Sequence, residues 1–275
     1  MARIIRAPVA RFRAVSDQPS PRYDPAMADE TSPRDVAAAW QPERAGRRAP
    51  KALGDAIVEP DWGGLRVAAS LTADEAALWR GGETITVPGE LLAALVAAFR
   101  VGEAVIEGHV TTMALQSGEG ALPAMPTVER PPILVPRAIR NSVKDDPFVH
   151  ARDHEARTAA IEAGVREALE LGERHAFVAT DLLWLDGESL VDVPLLERKR
   201  HLETILEASY LVRVTPFIRP SAILTLVTWG TLGFRELTHR ATNGRYLAGR
   251  ENPDRAVARP PQAPLGASKG PVSPR

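Results

Sequence analysis

The spacing of apolar and polar residues changes period several times along the chain. Short apolar runs at residues 56–58 and 65–70 flank Trp62-Gly63-Gly64, which predicts two strands joined by a tight turn. Residues 76–80 and 84–87 predict a second strand pair, with Gly81-Gly82 supplying the positive φ values that a two-residue hairpin needs. Within 89–100, Leu91, Leu92, Leu95, Val96 and Phe99 share one face at a 3.6-residue period, so a helix is expected there. Residues 104–115 return to strand character. Further on, 156–171 reads as a helix, 176–185 as a strand, and 194–206 as a helix opened by Pro194. A strand at 211–218, a helix at 222–229 and a strand at 234–240 complete an α+β order.

Proline sharpens the boundaries. Of 24 prolines, seven fall in 1–51, six in 123–147 and six in 251–275. Residues 1–51, with ten basic against six acidic groups, are expected to be a disordered Pro- and Arg-rich arm. One domain is expected over 52–259, interrupted by a long surface insertion at 116–153, and 260–275 should be a disordered tail. The formal net charge of −1 creates no whole-molecule field toward DNA or anionic membranes, so only local basic patches could act. No apolar run is long enough to span a bilayer, and the Arg-broken N-terminus is no secretory signal. Zero cysteines exclude disulfides, thiolate nucleophiles and Cys-ligated zinc, and a cytoplasmic protein is expected. Thirty arginines accompany only four lysines: Lys51, Lys144, Lys199 and Lys269.

Several segments, taken together and in order, resemble the adenylation domain of ATP-dependent DNA ligases. Phe177-Val-Ala-Thr-Asp-Leu-Leu-Trp-Leu-Asp-Gly187 and the following Pro194–Lys199 stretch are similar to a family segment reading aromatic-x-x-Phe-Asp-Leu-Leu-x-Leu-Asp-Gly and then Leu-x-x-Arg. Glu59-Pro-Asp-Trp-Gly-Gly-Leu-Arg66 stands where the family has Glu-x-Lys-x-Asp-Gly-x-Arg. Arg80-Gly-Gly resembles an Arg-x-Gly motif, Ile106-Glu-Gly-His-Val110 an Asp-Gly-Glu strand, and 233–249 a Glu-Gly-x-x-x-Lys motif with its following turn. The resemblance covers about residues 55–259. It implies an α+β nucleotidyltransferase fold, ATP-grasp-like, with antiparallel sheets packed against helices around an ATP cleft. Only 16 residues follow Arg259, so the usual C-terminal oligonucleotide-binding barrel is not expected. The resemblance also implies a part in DNA repair or recombination, with ATP and Mg2+ as cofactors and nicked or broken DNA and repair proteins as partners.

Ligases of this kind attack the α-phosphate of ATP with a lysine amine, and the amine must be uncharged and in line. The position of that lysine is Asp61. A carboxylate there repels the triphosphate and cannot form the phosphoramidate, so no catalytic residue is expected. By the same resemblance, Gly63 and His109 replace acidic residues, Thr180 an adenine-stacking aromatic, Arg235 a metal-associated glutamate, and Val257 a late lysine. No protein-bound metal is expected from that set. Glu59, Arg66, Arg240 and Arg259 are the expected nucleotide contacts, and Arg80, Arg245 and Arg250 the expected DNA contacts. Arg240 and Arg259 keep the charge of the lysines they replace.

Other readings stand beside these. Glu59 and Arg66 could form a cross-strand ion pair on adjacent strands. Asp181 and Asp186-Gly187 read as strand ends in turns. Trp62 and Trp184 read as half-buried sheet aromatics, and His150 and His154, four residues apart, lack a third metal ligand at helical spacing. Two functions follow: a degenerate domain that binds nucleotide or DNA ends without forming lysyl-AMP, or an active ATP-dependent ligase. In the second, Lys51 substitutes for the missing amine, or only pre-adenylated nicks are sealed.

Overall fold

The computed structural model describes residues 31–100, 102–116 and 147–261. Most expected elements are present within a residue or two of their expected bounds, but how they pair differs. The largest sheet has strand order β5-β4-β3-β6-β7-β8 and is antiparallel throughout, with a short parallel strand β9 also on β7. Its strands are β3 (Leu65–Thr72), β4 (Ala76–Arg80), β5 (Glu83–Thr84), β6 (Glu103–Thr111), β7 (Ala176–Leu185), β8 (Glu188–Ser189) and β9 (Val212–Val214). Gly81 and Gly82, at φ 62° and 87°, make the β4–β5 turn as expected. Two register shifts interrupt the β6–β7 ladder, and such bulges bend and twist a strand.

Alternation along β3 assigns the faces. Leu65, Val67, Ala69 and Leu71 enter the main core with Leu91, Leu95, Ile106, Phe177 and Leu202. Helices α2 (Gly89–Ala98) and α4 (Leu195–Ile205) cover this face, α2 with the apolar stripe read from the sequence. On the opposite face, Ala68, Val105, Leu183 and Trp184 meet Ala37, Trp40 and Tyr246.

Ala37 and Trp40 belong to residues expected to be a disordered arm. Residues 31–51 instead begin with α1 (Pro33–Ala38), capped by Ser32, whose hydroxyl accepts from Asp35 N–H while the Asp35 carboxylate accepts from Ser32 N–H. Trp40 is 6% exposed and its indole donates to the Tyr246 hydroxyl at 2.8 Å, so one aromatic anchors a polar segment. The two-residue β1 (Arg44–Ala45) then pairs in parallel with β11 (Glu251–Asn252). Residues 1–30 of the arm lie outside the described residues. So do 117–146 of the expected insertion, whose last residues instead open the 24-residue helix α3 (Pro147–Glu170). Residues 262–275 of the expected tail also lie outside.

A smaller sheet has the order β12-β10-β2, formed by β12 (Arg255–Ala258), β10 (Leu237–Ala241) and β2 (Ala56–Pro60). Strands β2 and β3 were expected to form a hairpin about Trp62. They lie in different sheets, because the chain crosses from one sheet to the other at 61–64. The second core lies at this crossing: Val58, Trp62, Val178 and Leu237 pack with Leu226, Trp229 and Phe234, the first two of these last three from α5 (Ile223–Thr231). Trp62 is 3% exposed, meets Phe234 edge-on at 5.2 Å and donates to Thr215 Oγ1 at 2.8 Å. Trp184 is buried too, so both tryptophans are core residues. Among the described residues no helix is long and apolar enough to cross a membrane.

Candidate functional site

A cleft forms where the sheets face each other. The small sheet contributes Glu59, Thr238, Arg240 and Arg255, and Asp61 follows at the end of β2. From the large sheet come Arg66, Glu107, His109 and Thr180. Strand register explains the convergence. Glu59 lies opposite Thr238 and Arg240 opposite Arg255, so a period of two places all four on one face. Arg66 lies opposite His109 on the face of β3 turned away from the main core.

Three of the four expected nucleotide contacts therefore meet here, but each is committed to the protein itself. The Arg66 guanidinium pairs with the Glu107 carboxylate and donates to the Glu43 carbonyl at 2.7 Å. Glu59 pairs with Lys199 and lies 3.8 Å from Arg240. The expected Glu59–Arg66 pair does not form, since these residues belong to different sheets. Arg240 donates to Asp181 and lies 3.3 Å from Glu43. Arg259 is exposed beyond β12 and lines neither of the cleft's two cavities. Arg255 takes its place, being the β12 residue in register with Arg240.

Asp181, expected in a turn, is the centre of this network. It sits mid-strand in β7 with no exposure and receives two parallel bonds from Arg198, each 2.8 Å, besides Arg240. Burial alone would raise its pKa, but Arg198 and Arg240 outweigh burial and hold the carboxyl well below the usual carboxylate range. Asp186-Gly187, by contrast, does form a turn, at φ 44° and 89°. Lys199 is fully buried, its amine enclosed by Glu59 and the Thr180 carbonyl, and burial pushes its pKa down.

Sequence reasoning missed Glu43, which comes from the segment taken for an arm. Its buried carboxylate lies 3.3 Å from Arg240 and 3.7 Å from Arg255, and accepts from Asn252 Nδ2 at 2.7 Å. An internal anion thus meets the cations expected to face phosphate. Arg198 and Lys199 were legible as part of a helix and of the Pro194–Lys199 segment, without a site role.

Asp61 does not pair with Arg66, Arg240 or Arg259. Its N–H donates to the Glu236 carbonyl at 3.0 Å, and its Oδ1 accepts from Gly63 N–H at 3.0 Å. Burial opposes its charge, but His109, His154, the Gly63 N–H and Arg255 together keep its pKa below the ordinary value. Burial pushes His109 down to about 4 against the pull of Asp61, so at neutral pH the imidazole is uncharged.

Helix α3 lies over the cleft. His154 Nδ1 and Arg157 Nη2 reach Glu236 at 2.6 and 2.9 Å, and Glu162 reaches Arg80 at 2.6 Å. Arg80 also donates to the Arg66 carbonyl at 2.7 Å, which turns this expected DNA contact inward. The space left is small: a cavity of about 20 Å³ beside Glu59 and Thr180, and one of about 60 Å³ beside Asp61 and His154. The first is about the size of one water, and small-molecule sites usually offer roughly 300–1,000 Å³. The residues present do not fit ATP.

No family model matches the chain, and no curated protein matches it. Solved structures do. The chain is similar to the ligase domain of M. tuberculosis LigD, with 16% identity, a TM-score of 0.49, and coverage of 81% of this chain and 60% of that one. It is similar to a Lig E DNA ligase with 14% identity, a TM-score of 0.41, and coverage of 79% and 68%. It is also similar to the Chlorella virus DNA ligase-adenylate with 14% identity, a TM-score of 0.39, and coverage of 77% and 64%. The fold resembles that of DNA ligase domains. The chain spans about 60% of the LigD ligase domain, and identities this low assign no role to any residue.

Proposed function

We propose that the chain is a ligase-like domain of DNA repair or recombination that binds DNA ends and does not form lysyl-AMP. What carries this reading is the cleft: Asp61, where the sequence resemblance puts the nucleophile, lies beneath α3 beside cavities of about 20 and 60 Å³. A nucleotide would have to displace α3 and break the Arg240–Glu43 and Arg240–Asp181 contacts. Arg44, Arg245 and Arg250 are exposed around the β1–β11 pair, where Arg44 N–H bonds the Arg250 carbonyl at 2.8 Å and Asn252 Nδ2 the Arg245 carbonyl at 2.9 Å. Arginines so placed suit phosphate oxygens.

The test is titration of a nicked duplex at two salt concentrations. The expected result is binding that weakens as salt rises; no binding, or binding indifferent to salt, overturns the reading. A second reading, an active enzyme, draws on Lys199, whose burial favours the uncharged amine. Lys51, in a 3-10 turn (Pro50–Ala52), is exposed and lines neither cavity. Incubation with α-labelled ATP and magnesium is expected to leave the chain unlabelled and a pre-adenylated nick unjoined. A stable label mapped by mass spectrometry to Lys199 or Lys51 would establish the enzyme.

A further inference from the structure

Helix α3 brings a third donor to two carboxylates that approach from other elements. Asp61 follows β2, Glu236 immediately precedes β10, and His154 descends from α3; one donor atom from each lies within 4.8 Å of the others. In each carboxylate one oxygen is already held, Asp61 Oδ1 by Gly63 N–H and Glu236 Oε1 by Arg157. Asp61 keeps its second oxygen for an ion, and Glu236 Oε2 meets His154 Nδ1 at 2.6 Å. All three side chains line the same cavity of about 60 Å³, which has room for an ion and a water. His109 lines it as well, with a buried Nδ1 that has no hydrogen-bond partner.

We propose that Asp61, His154 and Glu236 bind a divalent transition metal, zinc in the first instance. One imidazole and two carboxylates are common zinc ligands, and the imidazole disfavours magnesium and calcium, which prefer oxygen. Bonds of about 2.0–2.2 Å place neighbouring donors about 3–3.5 Å apart, so side-chain rotations suffice to close the site. The ion takes the place of the proton shared by His154 Nδ1 and Glu236 Oε2, and water completes the shell. Arg157 holds Glu236 in orientation, as outer partners of metal ligands do. Arg66, Arg157 and Arg255 also line the cavity and weaken binding; Glu107 offsets Arg66, and the two ligand carboxylates oppose the others. None of the three ligands stands where the ligase resemblance associates residues with metal, since those positions are 109 and 235. Binding would tie α3 to both β2 and β10, fixing the helix over the cleft.

The experiment is competition between a chelating dye and the full chain, purified without a polyhistidine tag, for Zn2+ at neutral pH. The expected result is one zinc per chain and a rise in Tm with added zinc. His154→Ala and Glu236→Gln should each weaken binding at least as much as loss of an outer-shell partner does, on the order of 10–100-fold. His201→Ala, an exposed histidine on α4, should change nothing. If His154→Ala misfolds by far-UV circular dichroism, the near-isosteric Glu236→Gln and Asp61→Asn carry the test. Zinc binding absent from the native chain, or unaltered in folded His154→Ala or Glu236→Gln, overturns the proposal. Neither outcome depends on whether the chain binds DNA.

Discussion

A lysine amine can attack ATP only where ATP can enter, so placing an amine at residue 61 tests the cleft and not the residue. Asp61→Lys is expected to remain unlabelled by α-labelled ATP, because its side chain would sit beneath α3 beside Arg255 and His154. A covalent label would show that the cleft opens. Asp181 matters for stability instead. Asp181→Asn leaves Arg198 without an anionic partner and Arg240 with Glu43 and Glu59 alone, and should cost about 3–5 kcal/mol in urea denaturation. Its titration has a definite sign. The unfolded chain protonates this carboxyl near pH 3.9, the folded chain only at lower pH. Between those values the unfolded state binds more protons, so the stabilisation is fully present above about pH 4 and is lost as pH falls further. Urea midpoints measured from pH 7 down to pH 3 should decline in the acid range, and a flat profile there would contradict the buried ion pair.

Elements were legible where the chain's periodicity is local, and pairing was not. The apolar stripe of α2 and the alternation of β7 are sequence properties, whereas the partner of β2 depends on residues nearly 180 positions away. Trp62-Gly63-Gly64 carries the signature of a hairpin turn, yet the burial of Trp62 against Phe234 sends the chain to the other sheet. The arm was misjudged for a related reason. Its composition is polar, but Trp40 and Glu43 each find a buried partner, and single anchors leave no periodic trace. Trp40→Ala should therefore cost about 3–5 kcal/mol and expose residues 31–45 to limited proteolysis. The β6–β7 ladder supplies a further test. A Cβ at Gly108 would meet the Phe177 ring and the Val178 carbonyl, which cannot yield without moving the strand. Gly108→Ala should lower stability by about 1–3 kcal/mol, visible as a lower Tm.

The molecule as a whole is nearly neutral, so any affinity for DNA must arise from how its arginines are distributed. Arg66, Arg198, Arg240 and Arg255 are turned inward against carboxylates and cannot contribute. Motif reading gave these buried cations and the surface ones similar weight, because a sequence does not say which arginine has an acidic neighbour. Arg245 is 68% exposed, and its pair with Asp192 at 3.3 Å is exposed on both sides, a kind worth about 0–1 kcal/mol that phosphate can displace. Arg250 is exposed as well. If these residues contact phosphate, each released counterion adds about 0.9 to the slope of log affinity against log salt. Arg245→Ala with Arg250→Ala should thus reduce the slope by roughly two and weaken binding alike for all sequences. Arg80→Ala, which removes a bond to the Arg66 carbonyl and a pair with Glu162, should lower Tm and leave the slope unchanged. The reverse pattern would move the DNA surface from the β1–β11 edge to the mouth of the cleft.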